Sequence, residues 1–209
     1  TSNNTIYGTQ MKEFPHCPTL MVCDMSSDIF SRKIDVSQFD LIYAGAQKNM
    51  GPAGTTLVIV KDEILGKTGR DIPTMLDYTT HVKKESMFNT PPVFAVYVSM
   101  LTLEWLKALG GVAHIEKMNQ KKADLLYNEI DRNPLFTGTA NKEDRSNMNV
   151  CFLLTDESKK DAFDKLWNEA GISGIKGHRS VGGYRASIYN AMPIKSIQVL
   201  IDLMQKLEK

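Results

Sequence analysis

The sequence predicts an α/β fold from three features. Short apolar runs at 20–23, 41–43 and 56–60 are bounded by small or polar residues and have strand length. Two longer segments, 93–109 and 112–133, have helix length and stop at Gly110-Gly111 and before Pro134. Beyond them the chain alternates strand (149–154), helix (159–170), strand (185–189) and helix, the pattern of a compact α/β layer. With 42% hydrophobic residues, 209 residues bury a core and suit one large or two small domains. The boundary is expected near Gly110-Gly111, giving units 1–110 and 111–209.

Composition excludes several function classes. The 25 basic and 24 acidic residues leave a net charge of +1, so no overall field draws the chain to nucleic acid or a membrane. No apolar run approaches the roughly 18 residues that a bilayer requires. The three cysteines, Cys17, Cys23 and Cys151, are odd in number and lack metal or redox spacing, which suits a reducing, cytoplasmic setting. His16 and Cys17 lack a third ligand and read as loop. Asn3-Asn4-Thr5 matches a glycosylation sequon by chance.

In chain order, 1–8 is polar and reads as a loop. The run 20–23 ends on Asp24, and 26–30 begins a short helix or turn. Strand 41–43 follows, then Lys48 in a run of small residues, Ala44, Gly45, Ala46, Gly51, Ala53 and Gly54. Neighbours of this kind offer the ammonium no paired carboxylate, so its charged form is expected to be disfavoured and the amine nucleophilic. Such an amine suits Schiff-base chemistry with a carbonyl, for which pyridoxal phosphate is the common cofactor; a solvated loop lysine is the plainer alternative. In an open α/β sheet the carboxyl ends of strands face the ligand crevice, so Asp24 is expected to share a cleft with Lys48 and to serve as acidic partner to a pyridinium nitrogen. Gly51-Pro52-Ala53-Gly54 turns the chain into the strand at 56–60, all strands here being read as buried on both faces. The charged stretch 61–84 is a surface excursion. Thr90 is an N-cap candidate and Pro91 suits the first helical position, ahead of a helix so apolar that it is expected to be buried.

In the second half, Ile115, Met118, Leu125, Leu126 and Ile130 mark one helix face; Phe163, Leu166 and Trp167 mark another. The last helix follows Pro193 with a stripe of Ile197, Leu200, Ile201, Met204 and Leu207. The loop 177–185 puts His178, Arg179 and Arg185 beside glycines that allow close backbone approach to a ligand. Arginine forks match carboxylate and phosphate oxygens, although a solvated basic loop has the same composition.

Three segments, Tyr-Ala-Gly-Ala-Gln-Lys-Asn-Met-Gly-Pro-Ala-Gly at 43–54, Ser-Met-Phe-Asn-Thr-Pro-Pro at 86–92 and Gly-His-Arg-Ser-Val-Gly-Gly-Tyr-Arg-Ala-Ser-Ile-Tyr-Asn at 177–190, closely resemble the phosphoserine aminotransferases. These are class-V, fold-type I, pyridoxal-phosphate-dependent enzymes of serine and pyridoxine biosynthesis. The resemblance spans the whole chain but corresponds to the later, carboxy-terminal part of that family's. It implies the later part of a large domain with a mixed, mainly parallel sheet, followed by a small α/β domain. Lys48 then carries the cofactor, Asp24 meets its ring nitrogen, and Gln47 packs or hydrogen-bonds beside it from the opposite side of an extended segment. Thr5 touches the ring, though alone it reads equally as a turn threonine. Asn89 and Thr90 reach the cofactor phosphate of the neighbouring subunit in a homodimer, and an ordinary helix cap is their alternative. Arg185 grips the substrate α-carboxylate, while His178 and Arg179 face its phosphate.

Two function classes follow. One is transamination between O-phospho-L-serine and 2-oxoglutarate, with Lys48 as Schiff-base lysine and general acid/base. The other is a cofactor-binding fragment that is inactive until an absent amino-terminal segment completes it. A cysteine desulfurase requires a reactive cysteine in a glycine-rich substrate loop, and none of the three cysteines has that setting.

Overall fold

The computed structural model describes residues 1–209. The chain opens on a small antiparallel hairpin, β1 (Asn3–Asn4) and β2 (Thr9–Gln10), where polarity predicted only loop. Ser2, Asn3 and Gln10 are buried because protein groups replace water around them. Asn3 Nδ2 donates to Ser27 Oγ at 2.7 Å and to Asn149 Oδ1 at 2.9 Å, and Gln10 Nε2 donates to Asp28 Oδ2 at 3.1 Å. Polarity signals exposure only when no such partners exist, which local pattern does not reveal.

The first sheet holds β3 (Val22–Asp24), β4 (Leu41–Gly45) and β5 (Thr56–Val60) in that order. β3 and β4 are parallel, with Asp24 opposite Tyr43; β4 and β5 are antiparallel. One face packs onto Met25, Ile29, Phe39 and Met50 through Cys23, Ile42 and Ala44. The expectation of two buried faces fails, because Val22, Tyr43 and Ile59 are exposed on strands that no second layer of this chain covers. Residues 26–30 form a turn, as one of the two expected alternatives had it.

A short helix, α1 (Tyr78–Lys83), lies in the surface excursion, its N-terminus capped by Asp77 accepting from Thr79 N at 2.9 Å. Helix α2 (Val93–Ala108) starts two residues later than Thr90 capping requires: Pro92 holds the N-cap position and no side chain caps it. Nor is α2 buried. Only Ala95, Ser99 and Leu106 are, while Phe94 is 74% and Tyr97 is 55% exposed. All-round apolarity implies some cover for a helix, and these 209 residues supply it on one side only. Gly110, at φ 103°, takes the left-handed conformation that ends α2 and turns the chain into α3 (Gly111–Arg132).

The second core is larger and joins α3 to a sheet of β6 (Phe136–Gly138), β7 (Asn149–Leu154) and, after α4 (Lys160–Glu169), β8 (Tyr184–Ser187). The sheet is antiparallel in the order β6-β7-β8. Strand β6 is three residues long, too short to announce itself by alternation. The closing helix α5 (Ile194–Glu208) buries Ile197, Leu200, Ile201 and Met204 of the predicted stripe, with Leu207 partly buried against the same core. Phe136, Phe152, Phe163 and Tyr184 form an aromatic cluster with ring centroids 4.9–5.7 Å apart. Tyr184 also donates to Asp164 at 2.8 Å, which fixes the strand carrying Arg185. The helices packed with one mixed and two antiparallel sheets bear out the α/β class, but the expected mainly parallel sheet is represented by the β3–β4 pair alone.

Candidate active site

Asp24 and Lys48 are brought together by the β3–β4 pairing. Asp24 closes β3 opposite Tyr43, and five residues beyond Tyr43 the chain folds into a turn in which Met50 N and Gly51 N both donate to Ala46 O, at 3.1 and 2.8 Å. Lys48 sits half-buried in that turn. Burial pushes the Asp24 carboxyl up, but hydrogen bonds from Ser26, the nearby positive charge of Lys48 and a hydrogen bond from the Tyr43 hydroxyl outweigh it and hold the group below its usual range. The Ser26 N–H lies 2.8 Å from Asp24 Oδ1. Lys48 therefore does have a carboxylate in electrostatic range, contrary to the expectation from its small neighbours. The acid lies 24 residues upstream and is delivered by strand pairing, which sequence proximity does not show.

Gln47 is not on the far side of an extended segment, because the segment is a turn. Its amide folds back over Gly45, where an added Cβ would lie 2.5 Å from Gln47 Oε1. Gly45 is thus the position that admits the glutamine, and Gln47 stays exposed beside Lys48. Asn49, next along, is buried and points the other way, donating to Ile29 O at 2.7 Å.

Arg185 and Thr5 meet through backbone: Arg185 Nη1 donates to Thr5 O at 2.9 Å. The hairpin bearing Thr5 is tied to the Asp24 strand end by Ser2 N donating to Asp24 O at 3.0 Å. Arg185 Nε is buried without a hydrogen-bond partner, a donor left over in a fork built for two oxygens. Across the sheet Arg185 faces Cys151, whose thiol burial pushes up to about 11 against the pull of that guanidinium. A thiol so placed is inert at neutral pH.

The 177–183 loop is folded tightly. A Cβ on Gly177 would stand 2.0 Å from Gly182 O, and one on Gly183 2.5 Å from Phe152 O. His178 Nδ1 is engaged by Ser180, 2.7 Å from its Oγ and 3.3 Å from its N–H, which leaves Nε2 as the ring nitrogen free to meet a ligand. Arg179 is exposed. Asn89 and Thr90 are also exposed, ahead of α2, and Asn89 Nδ2 reaches only Thr90 O, at 3.2 Å. Neither segment hydrogen-bonds the Lys48 turn. The helix behind them does touch its continuation, since Ala95 and Ser99 back onto Gly54 and Gly51.

Sequence reasoning missed Ser26, Tyr43, Asn49 and Asn190. Ser26 had a signal: an aspartate followed two residues on by a free N–H is the Asx-turn pattern. The others depend on strand register and on contacts across more than a hundred residues.

The class-V aminotransferase family model matches residues 3–200. The chain belongs to the class-V aminotransferase family. All of it aligns at 72% identity with a phosphoserine aminotransferase of Flavobacterium johnsoniae, covering 58% of that protein. A solved phosphoserine aminotransferase from Bacillus circulans subsp. alkalophilus is 44% identical, with a TM-score of 0.95 over 99% of this chain and 58% of its own. A PLP-bound phosphoserine aminotransferase from Trichomonas vaginalis is 36% identical, with a TM-score of 0.92 over 98% of this chain and 58% of its own. This class-V aminotransferase chain thus spans about 58% of the length of the relatives it matches.

Proposed function

We propose that these residues form part of a phosphoserine aminotransferase, which moves an amino group from O-phospho-L-serine to 2-oxoglutarate, giving 3-phosphooxypyruvate and L-glutamate. The observation that carries this reading is the pair at adjoining strand ends: Lys48, and an Asp24 carboxyl held below its usual range. An ionised carboxylate beside a half-buried amine is the donor set that pyridoxal phosphate requires. When bound, that group supplies an aldehyde for a lysine amine and a protonated ring that stabilises negative charge.

The chain's own residues then divide the work. Asp24 keeps a proton on the ring nitrogen, and Lys48 Nζ carries the α-proton as general acid and base. Thr5 and Gln47 line the same ground. Arg185 is held at one side by Nη1 on Thr5 O and offers its remaining terminal N–H groups to the α-carboxylate, which both substrates have. His178 Nε2 and Arg179 face the substrate phosphate. Asn89 and Thr90, exposed at the head of α2, serve the cofactor phosphate of a second subunit in a homodimer. We place the enzyme in the cytoplasm and in serine and pyridoxine biosynthesis. No single helix is long and apolar enough to cross a membrane. The division at Gly110-Gly111 into 1–110 and 111–209 stays part of this reading, with α3 leading out of the first unit.

Borohydride reduction of the whole protein with its cofactor is expected to fix a pyridoxyl group on the peptide containing Lys48; label on another lysine defeats the assignment. Residues 1–209 alone, given pyridoxal phosphate and assayed with phosphoserine and 2-oxoglutarate, are expected to be inactive, as the bare face of β3–β5 and the exposed side of α2 need covering. A soluble, yellow, active 209-residue protein would overturn that part.

Arg185→Lys keeps the charge and loses the fork. Michaelis constants for amino and keto acid are both expected to rise roughly tenfold, about the value of one charge-assisted hydrogen bond. Unchanged constants would put the α-carboxylate elsewhere.

A further inference from the structure

The turn that presents Lys48 is anchored from below by three buried asparagines. Asn49, directly after Lys48, donates to Ile29 O at 2.7 Å and accepts from Asn190 N at 2.9 Å. Asn190 Nδ2 donates to Phe30 O at 3.0 Å, and its Oδ1 accepts from Asn119 Nδ2 at 2.8 Å. Asn119 Nδ2 also donates to Ser31 O at 3.1 Å. All three side chains are less than a tenth exposed. Phe30, whose carbonyl is bound, sits at φ 58°, a left-handed conformation that a phenylalanine does not hold without outside support.

We propose that Asn49 and Asn190 are positioning residues that set Lys48 relative to Arg185. The connection is short. Asn190 lies five residues past Arg185 on the chain that continues β8, and Lys122 Nζ fixes the two residues before it by donating to Ile188 O at 2.9 Å and Tyr189 O at 2.7 Å. Asn190 then hands that register to the lysine turn through its backbone N–H on Asn49. The β3–β4 sheet aims the Lys48 turn from one side, and this relay fixes it from the other, so amine and guanidinium come from different cores yet share one frame. Both asparagine side chains are spent on protein carbonyls and amides. Each acts through Lys48: the Asn49 and Asn190 amides both donate and accept within the network, which restricts them to one arrangement, and only Asn119 Oδ1, at its far end, is left without a partner.

The catalytic meaning rests on reading Lys48 as the cofactor lysine, whereas the contacts do not. Two measurements on the whole protein separate these. The first, after the cofactor is removed, is trace acylation of Lys48 with acetic anhydride, scored by peptide mapping against exposed Lys107. The second is the kcat and KM of the loaded enzyme. In Asn49→Ala the turn loosens, and Lys48 acylation is expected to rise about fivefold or more, the factor that roughly 1 kcal/mol supplies. kcat falls while KM moves little. Asn133→Ala is the control: Asn133 is equally buried and bonds Glu129 and Met204 far along α3, so it loses stability without altering Lys48 acylation. Should Asn49→Ala fail to fold, Asn190→Ala removes the Asn119 and Phe30 bonds yet keeps its own N–H, and a smaller rise is expected. Unchanged acylation in a folded Asn49 or Asn190 variant, or an equal change in Asn133→Ala, overturns the proposal. A parent protein that takes no pyridoxyl label at Lys48 defeats the functional reading alone, and acylation still decides the positioning.

Discussion

Asp24→Asn is expected to lower kcat by roughly a hundredfold or more while leaving the whole protein folded and able to take up cofactor. The substitution is isosteric, and an amide oxygen in place of Oδ1 still accepts from Ser26 N, now at 2.8 Å from the carboxylate. Backbone bonds on either side, Ser2 N to Asp24 O and Met25 N to Tyr43 O, do not involve the side chain. What disappears is the charge. An amide cannot hold a proton on a ring nitrogen by charge, and it leaves the Lys48 ammonium without the carboxylate that now faces it. The checks are single-turnover kinetics with phosphoserine and a thermal midpoint measured alongside. Near-normal turnover would remove Asp24 from the site; a collapsed midpoint would make its role structural.

The sequence made the second half of the fold more legible than the first, for a physical reason. Where one face of an element is buried and the other wet, periodicity records it: α5 reproduces its predicted stripe, and β7 coincides with the predicted 149–154. The first half breaks that link. Strands β3–β5 and helix α2 are apolar on faces that this chain leaves open, so apolarity overstated their burial. The hairpin β1–β2 shows the reverse, polar residues buried among polar partners. Site chemistry was readable wherever a residue type is unusual for its place, as with a lysine among glycines and alanines. Its environment was not, since the Asp24 carboxylate reaches Lys48 through strand register and Asn49 is held by a residue 141 positions away.

Lys122 shows the same limit and carries a large expected effect. Nothing in a helix of alternating charges sets it apart, yet it is 1% exposed, with two carbonyls and no carboxylate as partners. Burial pulls its amine from an ordinary 10.5 down to about 8. Below pH 8 the group is charged in both folded and unfolded chains, and the fold bears the full cost of burying that charge. Between pH 8 and 10.5 the folded protein releases the proton while the unfolded chain keeps it, so this group makes stability rise with pH. The total is on the order of 3 kcal/mol, at about 1.4 kcal/mol for each tenfold change in proton affinity. Tyr127 and Tyr184 oppose the trend above about pH 10, since burial raises both phenols and the unfolded chain ionises first. Lys122→Met isolates the lysine. It orphans the same two carbonyls at every pH, so its cost is constant, and the tyrosines cancel in the comparison. Urea unfolding of parent and variant from pH 7 to 10.5 is expected to give a stability difference that grows steadily in the parent's favour above pH 8; a flat difference would mean that Lys122 titrates where a solvated lysine does.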